Sequence, residues 1–177
     1  MSLIDKAIAA VTPLATQDQR LDARRRFESI ATESSLARMV LDHHVQIENA
    51  FAALKNTSDP ASRRSAQKAL AAILTGHSMA EEAVLYPALA LRHQKAHSEE
   101  AYVEQSAAKV QTAALEELDP MSQDYLDKLE HLRGAVAQHV YQEEGTWFPK
   151  LFKEADAATH ARLAARYQEE FGRYTGL

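Results

Sequence analysis

Two stretches of the chain repeat one arrangement of histidine, glutamate, aromatic residue and proline. The first, HSMAEEAVLYP, begins at residue 77, and the second, HVYQEEGTWFP, begins at residue 139. In each, a glutamate follows the histidine four positions later, so in an α-helix the two side chains lie side by side on one face. An imidazole nitrogen and a carboxylate oxygen at that separation can share a metal ion. The repeat therefore predicts two ligand pairs, His77 with Glu81 and His139 with Glu143, which hold one ion or two.

A third histidine lies in phase with an apolar helix face. Val40, His44, Ile47 and Phe51 recur at spacings of four, three and four residues, which is the pattern of a buried helix stripe. Buried carboxylates and imidazoles are costly unless they are paired or bound to metal, and a cation offsets that cost. A single His-Glu pair at this spacing more often only stabilises a helix surface. The prediction of a metal site therefore depends on the duplication and on His44.

The composition of the chain excludes several classes of protein. The chain has 177 residues, which suits one domain, and no cysteine, which excludes disulfide scaffolds, thiolate zinc fingers and iron–sulfur clusters. Its 20 basic and 25 acidic residues give a net charge of −5, which argues against nucleic acid as a partner. The sequence contains neither a secretory leader nor an apolar run of membrane-spanning length. We therefore expect a cytoplasmic protein with no membrane partner.

The elements that must position the ligand pairs are predicted to be helices. Only 5 Gly and 5 Pro punctuate the chain, and clusters of turn residues fall at 55–62 and 118–124. Pro87 and Pro149 are each expected to end or bend a helix near the preceding residue. The predicted fold class is all-α, an up-down-up-down four-helix bundle. Its four helices are predicted at residues 34–55, 61–86, 98–118 and 122–148.

Two of these helices carry a predicted buried stripe that includes a motif histidine. The stripe of the second helix is Ala69, Ile73, His77, Ala80 and Val84, and that of the fourth is Leu129, Leu132, Val136, His139 and Glu143. The bundle is assigned to residues 34–153. Residues 1–33 and 154–177 are expected to form accessory N- and C-terminal helices outside it. The arginine run at 24–26 is interpreted as a solvated face, because acidic residues flank it.

The sequence resembles the hemerythrin-like HHE cation-binding family over about residues 36–152. The resemblance is carried by Asp42, His43, His44 and Phe51, by His77, Glu81, Glu82, Tyr86 and Pro87, and by His139, Glu143, Glu144, Phe148 and Pro149. It implies a non-haem di-iron centre inside a four-helix bundle. As metal ligands it implies His44, His77, Glu81, His139 and Glu143, with the two carboxylates bridging the metals.

The chain departs from the family pattern in the third predicted helix. The family usually supplies a further histidine there, after a glutamate, whereas this sequence reads EAYVEQSAAKV. Gln105 is the best match for that ligand, and Glu104 is the alternative. An amide oxygen is a weaker ligand than imidazole. The site could therefore hold one iron, or two unequal irons, or a water molecule could take the place of the missing histidine ligand. In the first helix the apolar stripe favours His44 over His43, since adjacent side chains point about 100° apart.

Several neighbouring residues have two interpretations. Glu82 and Glu144 are candidates for orienting an imidazole or for supplying an extra oxygen ligand. Tyr102 either packs or faces the site. The aromatic residues Tyr86, Trp147 and Phe148 are expected to close the apolar end of the bundle. Surface positions are expected for His93, His97 and His160, and a surface or helix–helix position for His131.

These observations favour a metal-binding function. Imidazole and carboxylate ligands suit iron, manganese or zinc, and two symmetrical glutamates fit two ions better than one. The resemblance implies iron, with two ions expected, one ion as the alternative, and zinc or manganese less favoured. We expect a protein that binds or senses dioxygen or peroxide, or that stores or scavenges iron. A di-metal oxidase or peroxidase and a metal-free helical interaction domain are the alternatives, so enzymatic turnover stays open. Exposed apolar residues on the accessory helices hint at a homodimer.

Overall fold

The computed structural model describes residues 14–92 and 94–176, and within them the chain is helical and contains no strand. The predicted all-α class is therefore confirmed. The α-helices are α1 (Gln17–Ala31), α2 (Ser35–Lys55), α3 (Pro60–Ala80), α4 (Tyr86–Leu91), α5 (Lys95–Ala114), α6 (Gln123–Gln142), α7 (Phe148–Glu154) and α8 (Ala157–Thr175).

The helices begin where short polar side chains can bind their free backbone N–H groups. The side chains of Thr16, Ser34, Asp59, Ser122 and Asp156 each accept a hydrogen bond from the first turn of the helix that follows. Such a cap stabilises a helix by about 1 kcal/mol. The caps of α3 and α6 lie in the two predicted turns, at 55–62 and 118–124, and this explains why both turns occur where the sequence placed them.

Two π-helical turns lie inside otherwise continuous helices. The first, Glu81–Leu85, joins α3 to α4, and the second, Glu143–Trp147, joins α6 to α7. In a π turn each N–H bonds to the carbonyl five residues earlier, so Pro87 leaves the carbonyl of Glu82 without a backbone donor. The Tyr102 hydroxyl donates to that carbonyl at 2.7 Å. Of the two expected outcomes, a helix end or a bend near each proline, the structure shows no end: the helix continues through a π turn, which accommodates the missing N–H.

The core consists of two apolar clusters with a polar layer between them. On α2, Val40 belongs to the first cluster and Ile47 to the second, and the histidine pair lies between. The α2 and α6 stripes are buried as predicted. Of the stripe predicted for the second helix, His77, Ala80 and Val84 are buried and Ile73 is half-buried, whereas Ala69 is exposed and its neighbour Leu70 is buried instead. The prediction is wrong at Ala69 because an alanine-rich sequence gives little contrast in hydrophobicity between adjacent helix faces.

The flanking helices pack closely on the central ones. α1 contacts α2 and the second π turn, and α8 contacts α2, α3 and the first π turn. At Gly76, a Cβ atom would lie 2.7 Å from Thr175 Cγ2 and 3.2 Å from the Phe171 ring. The absence of a side chain at Gly76 thus allows α8 to approach α3. In the part of the chain that the structure describes, no helix has the length and hydropathy to cross a bilayer.

Candidate metal centre

Four side chains from the two motifs and α2 converge in the polar layer. One ligating atom each from His44, His77, Glu81 and Glu143 lies within 4.8 Å of the others, and all four residues are buried. We refer to these four residues as the inner cluster. Both glutamates begin a π turn, and both histidines lie on the stripes that face the core. The structure thus brings together four of the residues that sequence analysis selected.

The inner cluster presents polar atoms that the rest of the described chain does not satisfy. His44 Nε2, His77 Nε2, Glu81 Oε1 and Glu143 Oε2 are buried and have no hydrogen-bond partner among the described residues. His44 Nε2 lies 3.2 Å from Glu143 Oε2, and His77 Nε2 lies 3.2 Å from Glu81 Oε2. Each unsatisfied buried polar group costs about 1–3 kcal/mol. Two imidazole nitrogens and two carboxylate oxygens arranged in this way fit a divalent or trivalent cation.

His44 and His139 are each held at the outer nitrogen by a carboxylate. His44 Nδ1 lies 2.8 Å from Glu144 Oε1, and His139 Nδ1 lies 2.7 Å from Glu104 Oε2. A carboxylate can only accept, so the Nδ1–H of each histidine donates. In the neutral imidazole the Nε2 atom then has its lone pair free, and it faces the interior. Metal-binding histidines are commonly oriented by such outer partners.

The outer nitrogen of His77 contacts a tyrosine of the C-terminal helix. The Tyr167 hydroxyl lies 3.2 Å from His77 Nδ1 and 3.2 Å from His43 Nδ1. Burial, with a smaller contribution from the nearby His44, lowers the pKa of His43 to about 4, so His43 is neutral and can accept the tyrosine proton. Tyr167 can then accept from His77, which leaves His77 Nε2 free. His43 also stacks on Phe171, with ring centroids 3.7 Å apart, and is buried beside the site.

The third-helix residues contact the site in different ways. Gln105 is buried, its Nε2 donates to Glu81 Oε2 at 2.7 Å, and its Oε1 has no partner among the described residues. Glu104 contacts the outer side of His139 rather than the interior. Of the two residues left open by the sequence, Gln105 is therefore the one that lies against the inner cluster. Its role as a ligand remains a prediction.

His139 contacts Glu143 but is not one of the four inner-cluster residues. His139 Nε2 is 3.2 Å from Glu143 Oε1 and 3.1 Å from the Tyr86 hydroxyl. That hydroxyl is also 3.1 Å from Glu81 Oε2 and 3.0 Å from Glu143 Oε1. Glu143 thus has a histidine at each oxygen, His44 near Oε2 and His139 near Oε1. Tyr86, expected only to close the apolar end, reaches the site with its oxygen, and residue type alone gave no signal for this contact.

Protons balance the charge of the buried site. Burial would lower the pKa of His44, but the carboxylates of Glu143 and Glu144 raise it to about 9. Burial and the charge of Glu143 raise the pKa of Glu81 well above its usual range. Burial would also raise the pKa of Glu143, but His139 and His44 hold it well below its usual range. At neutral pH a charged imidazole at His44 therefore lies next to an ionised Glu143, and Glu81 is the carboxyl that keeps a proton more readily.

The second glutamates of the two motifs have different partners. Glu144 contacts His44 and also accepts from Arg24 Nε at 2.8 Å, whereas Glu82 pairs with Lys109 at 2.6 Å. Arg24 is 16% exposed, and it also contacts Glu48 at 2.7 Å. The interpretation of the arginine run as a solvated face is thus wrong for Arg24. Its burial depends on the packing of α1 against the second π turn, which local sequence does not encode.

The remaining histidines lie away from the inner cluster. His97 stacks on Trp147 with ring centroids 6.1 Å apart, and His160 contacts Ser34 and the carbonyl of Phe152. Both are half-buried, so their predicted surface positions need correction. His131 is exposed. The prediction for residue 93 lies outside the described residues.

A cavity connects the site with the surface. It has a volume of about 970 Å³ and is bounded by α3, α5 and α6. His77, Gln105 and His139 line its inner end, and apolar residues such as Leu74 and Val103 line its wall. The cavity is wide enough for a small molecule to reach the ligand side chains.

Comparisons with known proteins agree with the geometry. A family model described as the hemerythrin HHE cation-binding domain matches residues 35–151. A curated protein named DNA nickase, from Nostoc sp. (strain PCC 7120 / SAG 25.82 / UTEX 2576), is 31% identical over 111 residues. The match covers 63% of this chain and 31% of that protein, so the chain spans about a third of the relative's length. No solved structure matches the chain.

Proposed function

Because the chain belongs to the hemerythrin HHE cation-binding domain family, we propose that it is a non-haem iron protein. In this proposal the site holds two iron ions and binds or senses dioxygen or peroxide. The four long helices, α2, α3, α5 and α6, form the up-down-up-down bundle that carries it.

One observation carries the proposal: the histidines present Nε2 atoms to the interior and are held at Nδ1 from outside. The partners at Nδ1 are Glu144 for His44, Tyr167 for His77 and Glu104 for His139. A metal-free interaction domain has no need of three oriented imidazoles around two buried carboxylates. The unsatisfied atoms of the inner cluster would destabilise such a domain, so this alternative is disfavoured.

We infer two ion positions, and the contacts of the two carboxylates support them. His44 and His77 would hold one ion on one side of Glu81 and Glu143, and His139 would hold the other ion on the opposite side. The glutamates would bridge the two, as the sequence resemblance implies. In this proposal Gln105, which contacts Glu81, is assigned to the His139 side, where the family usually supplies a further histidine. The two positions are unequal, since two histidines serve the first and one histidine serves the second.

Iron supplies reversible redox chemistry and open positions for dioxygen or peroxide. The protein residues orient the ligands, exclude water and control access. Trp147 lies with its ring centroid 5.5 Å from that of His139 and is buried, so it shields the site from bulk solvent. The cavity along α5 and α6 gives small molecules a path to it.

Metal analysis of the purified protein tests the proposal. We expect about two iron ions per chain after expression in iron-supplemented medium, and a lower melting temperature after chelation. His77→Ala should remove most of the iron, whereas His131→Ala, which changes an exposed histidine, should not. Protein that contains no iron, and whose melting temperature is the same with iron and with chelator, would refute the proposal.

A di-metal oxidase or peroxidase is the second candidate, and the cavity beside His77 and His139 favours it. Turnover distinguishes this enzyme from a carrier. We would measure consumption of hydrogen peroxide, and of oxygen with a reductant, at a large excess over protein. Consumption limited to about one equivalent per site indicates binding or sensing, and sustained consumption indicates an enzyme.

Strand nicking is the activity named for the relative from Nostoc. The structure offers this chain no particular support for it. Arg24, in the run that most resembles a phosphate-binding patch, pairs with Glu144 and Glu48, and Arg25 pairs with Asp22. Incubating iron-loaded protein with supercoiled plasmid would show directly whether the activity is present.

A further inference from the structure

The hydroxyl of Tyr86 lies among the candidate ligands, although its ring packs in the apolar core. The side chain is fully buried and stacks on Phe148, with ring centroids 6.5 Å apart. Its oxygen lies 3.1 Å from Glu81 Oε2, 3.0 Å from Glu143 Oε1 and 3.1 Å from His139 Nε2. Two carboxylate oxygens and an imidazole nitrogen thus surround one phenol oxygen.

The separations of these atoms are those of neighbouring ligands around one ion. The Tyr86 oxygen, Glu143 Oε1 and His139 Nε2 form a triangle with sides of 3.0, 3.1 and 3.2 Å. Adjacent ligands of an octahedral ion with bonds of about 2.1–2.2 Å lie about 3.0–3.1 Å apart. The three atoms therefore have the spacing of one face of an octahedron.

The His139 side of the site also needs another donor. Its single imidazole is accompanied by Gln105, whose amide nitrogen, rather than its oxygen, contacts Glu81. An amide offers no negative charge to a ferric ion. A phenolate is a hard, anionic oxygen donor, the kind that suits trivalent iron.

We propose that Tyr86 is a phenolate ligand of the iron ion on the His139 side. The inference rests on the proposed function, because it requires an ion at that position. On binding, the phenol O–H bond breaks, the proton passes to solvent, and an oxygen–iron bond forms without a change of oxidation state. Tyr86 thus replaces the imidazole that the third helix lacks.

Optical spectroscopy of the full chain tests this assignment. The protein is loaded with ferrous iron without oxygen, oxidised with ferricyanide and desalted. We expect a phenolate-to-iron charge-transfer band in the visible spectrum, with tyrosine ring vibrations enhanced in the resonance Raman spectrum. Tyr86→Phe should lose both signals and about half of the bound iron. Tyr125→Phe, which changes a buried tyrosine that contacts Gln67, should keep them.

The outcomes separate this inference from the proposed function. Wild-type protein with two ferric ions per chain and no phenolate signal would overturn the inference alone. Protein that binds no iron would overturn both. A Tyr86→Phe protein that retains the band would also overturn the assignment. Circular dichroism checks that the variant is folded. If it is not, the wild-type Raman spectrum with ring-deuterated tyrosine shows whether a tyrosine binds the iron: shifted bands support Tyr86, whose oxygen lies among the candidate ligands, and unshifted bands overturn the assignment.

Discussion

Glu144 offers a sharp test of the metal centre, because a position-matched control exists in the same chain. Glu144 and Glu82 occupy equivalent places in the two motifs. Glu144 contacts His44 Nδ1 and Arg24, whereas Glu82 pairs with Lys109 near the surface. Glu144→Gln keeps the shape of the side chain but removes its negative charge. We expect this change to weaken metal binding while Glu82→Gln does not.

The expected losses of metal affinity and of unfolding free energy follow from the contacts that Glu144→Gln removes. Replacing an outer partner of a metal-binding histidine typically costs 10–100-fold in metal affinity, which is about 1.4–2.7 kcal/mol. Removing one partner of a buried ion pair costs about 3–5 kcal/mol. Arg24 is 16% exposed and keeps its contact with Glu48, so the cost should be smaller than for a fully buried pair. We expect Glu144→Gln to lower the unfolding free energy of the metal-free protein by about 1–3 kcal/mol. Glu82→Gln should change that free energy by less than about 1 kcal/mol, as surface pairs do.

Two assays separate the effect on metal affinity from the effect on stability. Competition with a chelator of known affinity gives the metal dissociation constant, and urea unfolding of the metal-free protein gives stability. The reasoning is wrong if Glu144→Gln binds metal within twofold of wild type, or if Glu82→Gln weakens binding as much. Either result would mean that the Glu144–His44 hydrogen bond does not orient the ligand.

Three further predictions address other contacts. Tyr167→Phe should weaken metal binding about tenfold by freeing His77 Nδ1, as measured by the same chelator competition. Gly76→Ala should lower stability by about 1–2 kcal/mol, because overpacking against Thr175 outweighs the gain in helix propensity. Thr175→Ser, which removes the clashing methyl, should restore part of that loss in thermal unfolding. Since His44 has a pKa of about 9 and is protonated at neutral pH, metal binding through Nε2 should release at least one proton per chain. Apparent affinity should therefore fall as pH falls below about 9, which titration in weak buffer would detect.

Periodic patterns predicted the helices well wherever apolar residues were distinct. The α2 and α6 stripes are buried as expected, and the duplicated motifs provide His77, Glu81 and Glu143, three of the four inner-cluster residues. The predicted stripe of the second helix is wrong at Ala69, because alanines occur on several faces of α3. Spacing predicts which side chains share a helix face, and that was enough to bring the motif residues together.

The contacts around the ligands could not be predicted in the same way. Arg24 and Tyr167 lie on the flanking helices α1 and α8, and reach the site through tertiary packing. Their partners are 120 and 90 residues away in sequence. Helical periodicity relates residues within one helix, so it cannot predict contacts between residues this far apart in the sequence. The close approach of α8 depends on Gly76, whose lack of a side chain is easily overlooked in an alanine-rich helix.

The π turns have a consequence for how the site tolerates changes of chain length. Tyr86 lies five positions after Glu81, and Phe148 lies five after Glu143. In a regular α-helix, such residues would point about 140° apart. The wider turn brings the Tyr86 oxygen back to the Glu81 carboxylate. Each motif thus behaves like an ordinary helix carrying one inserted residue. A single deletion there would leave a regular α-helix with the glutamate and the aromatic residue four positions apart, still on one face. At this position the first motif has Tyr86, which offers a hydroxyl oxygen, whereas the second has Phe148, whose ring carries no polar atom. The two motifs are therefore similar in sequence but chemically different at the site.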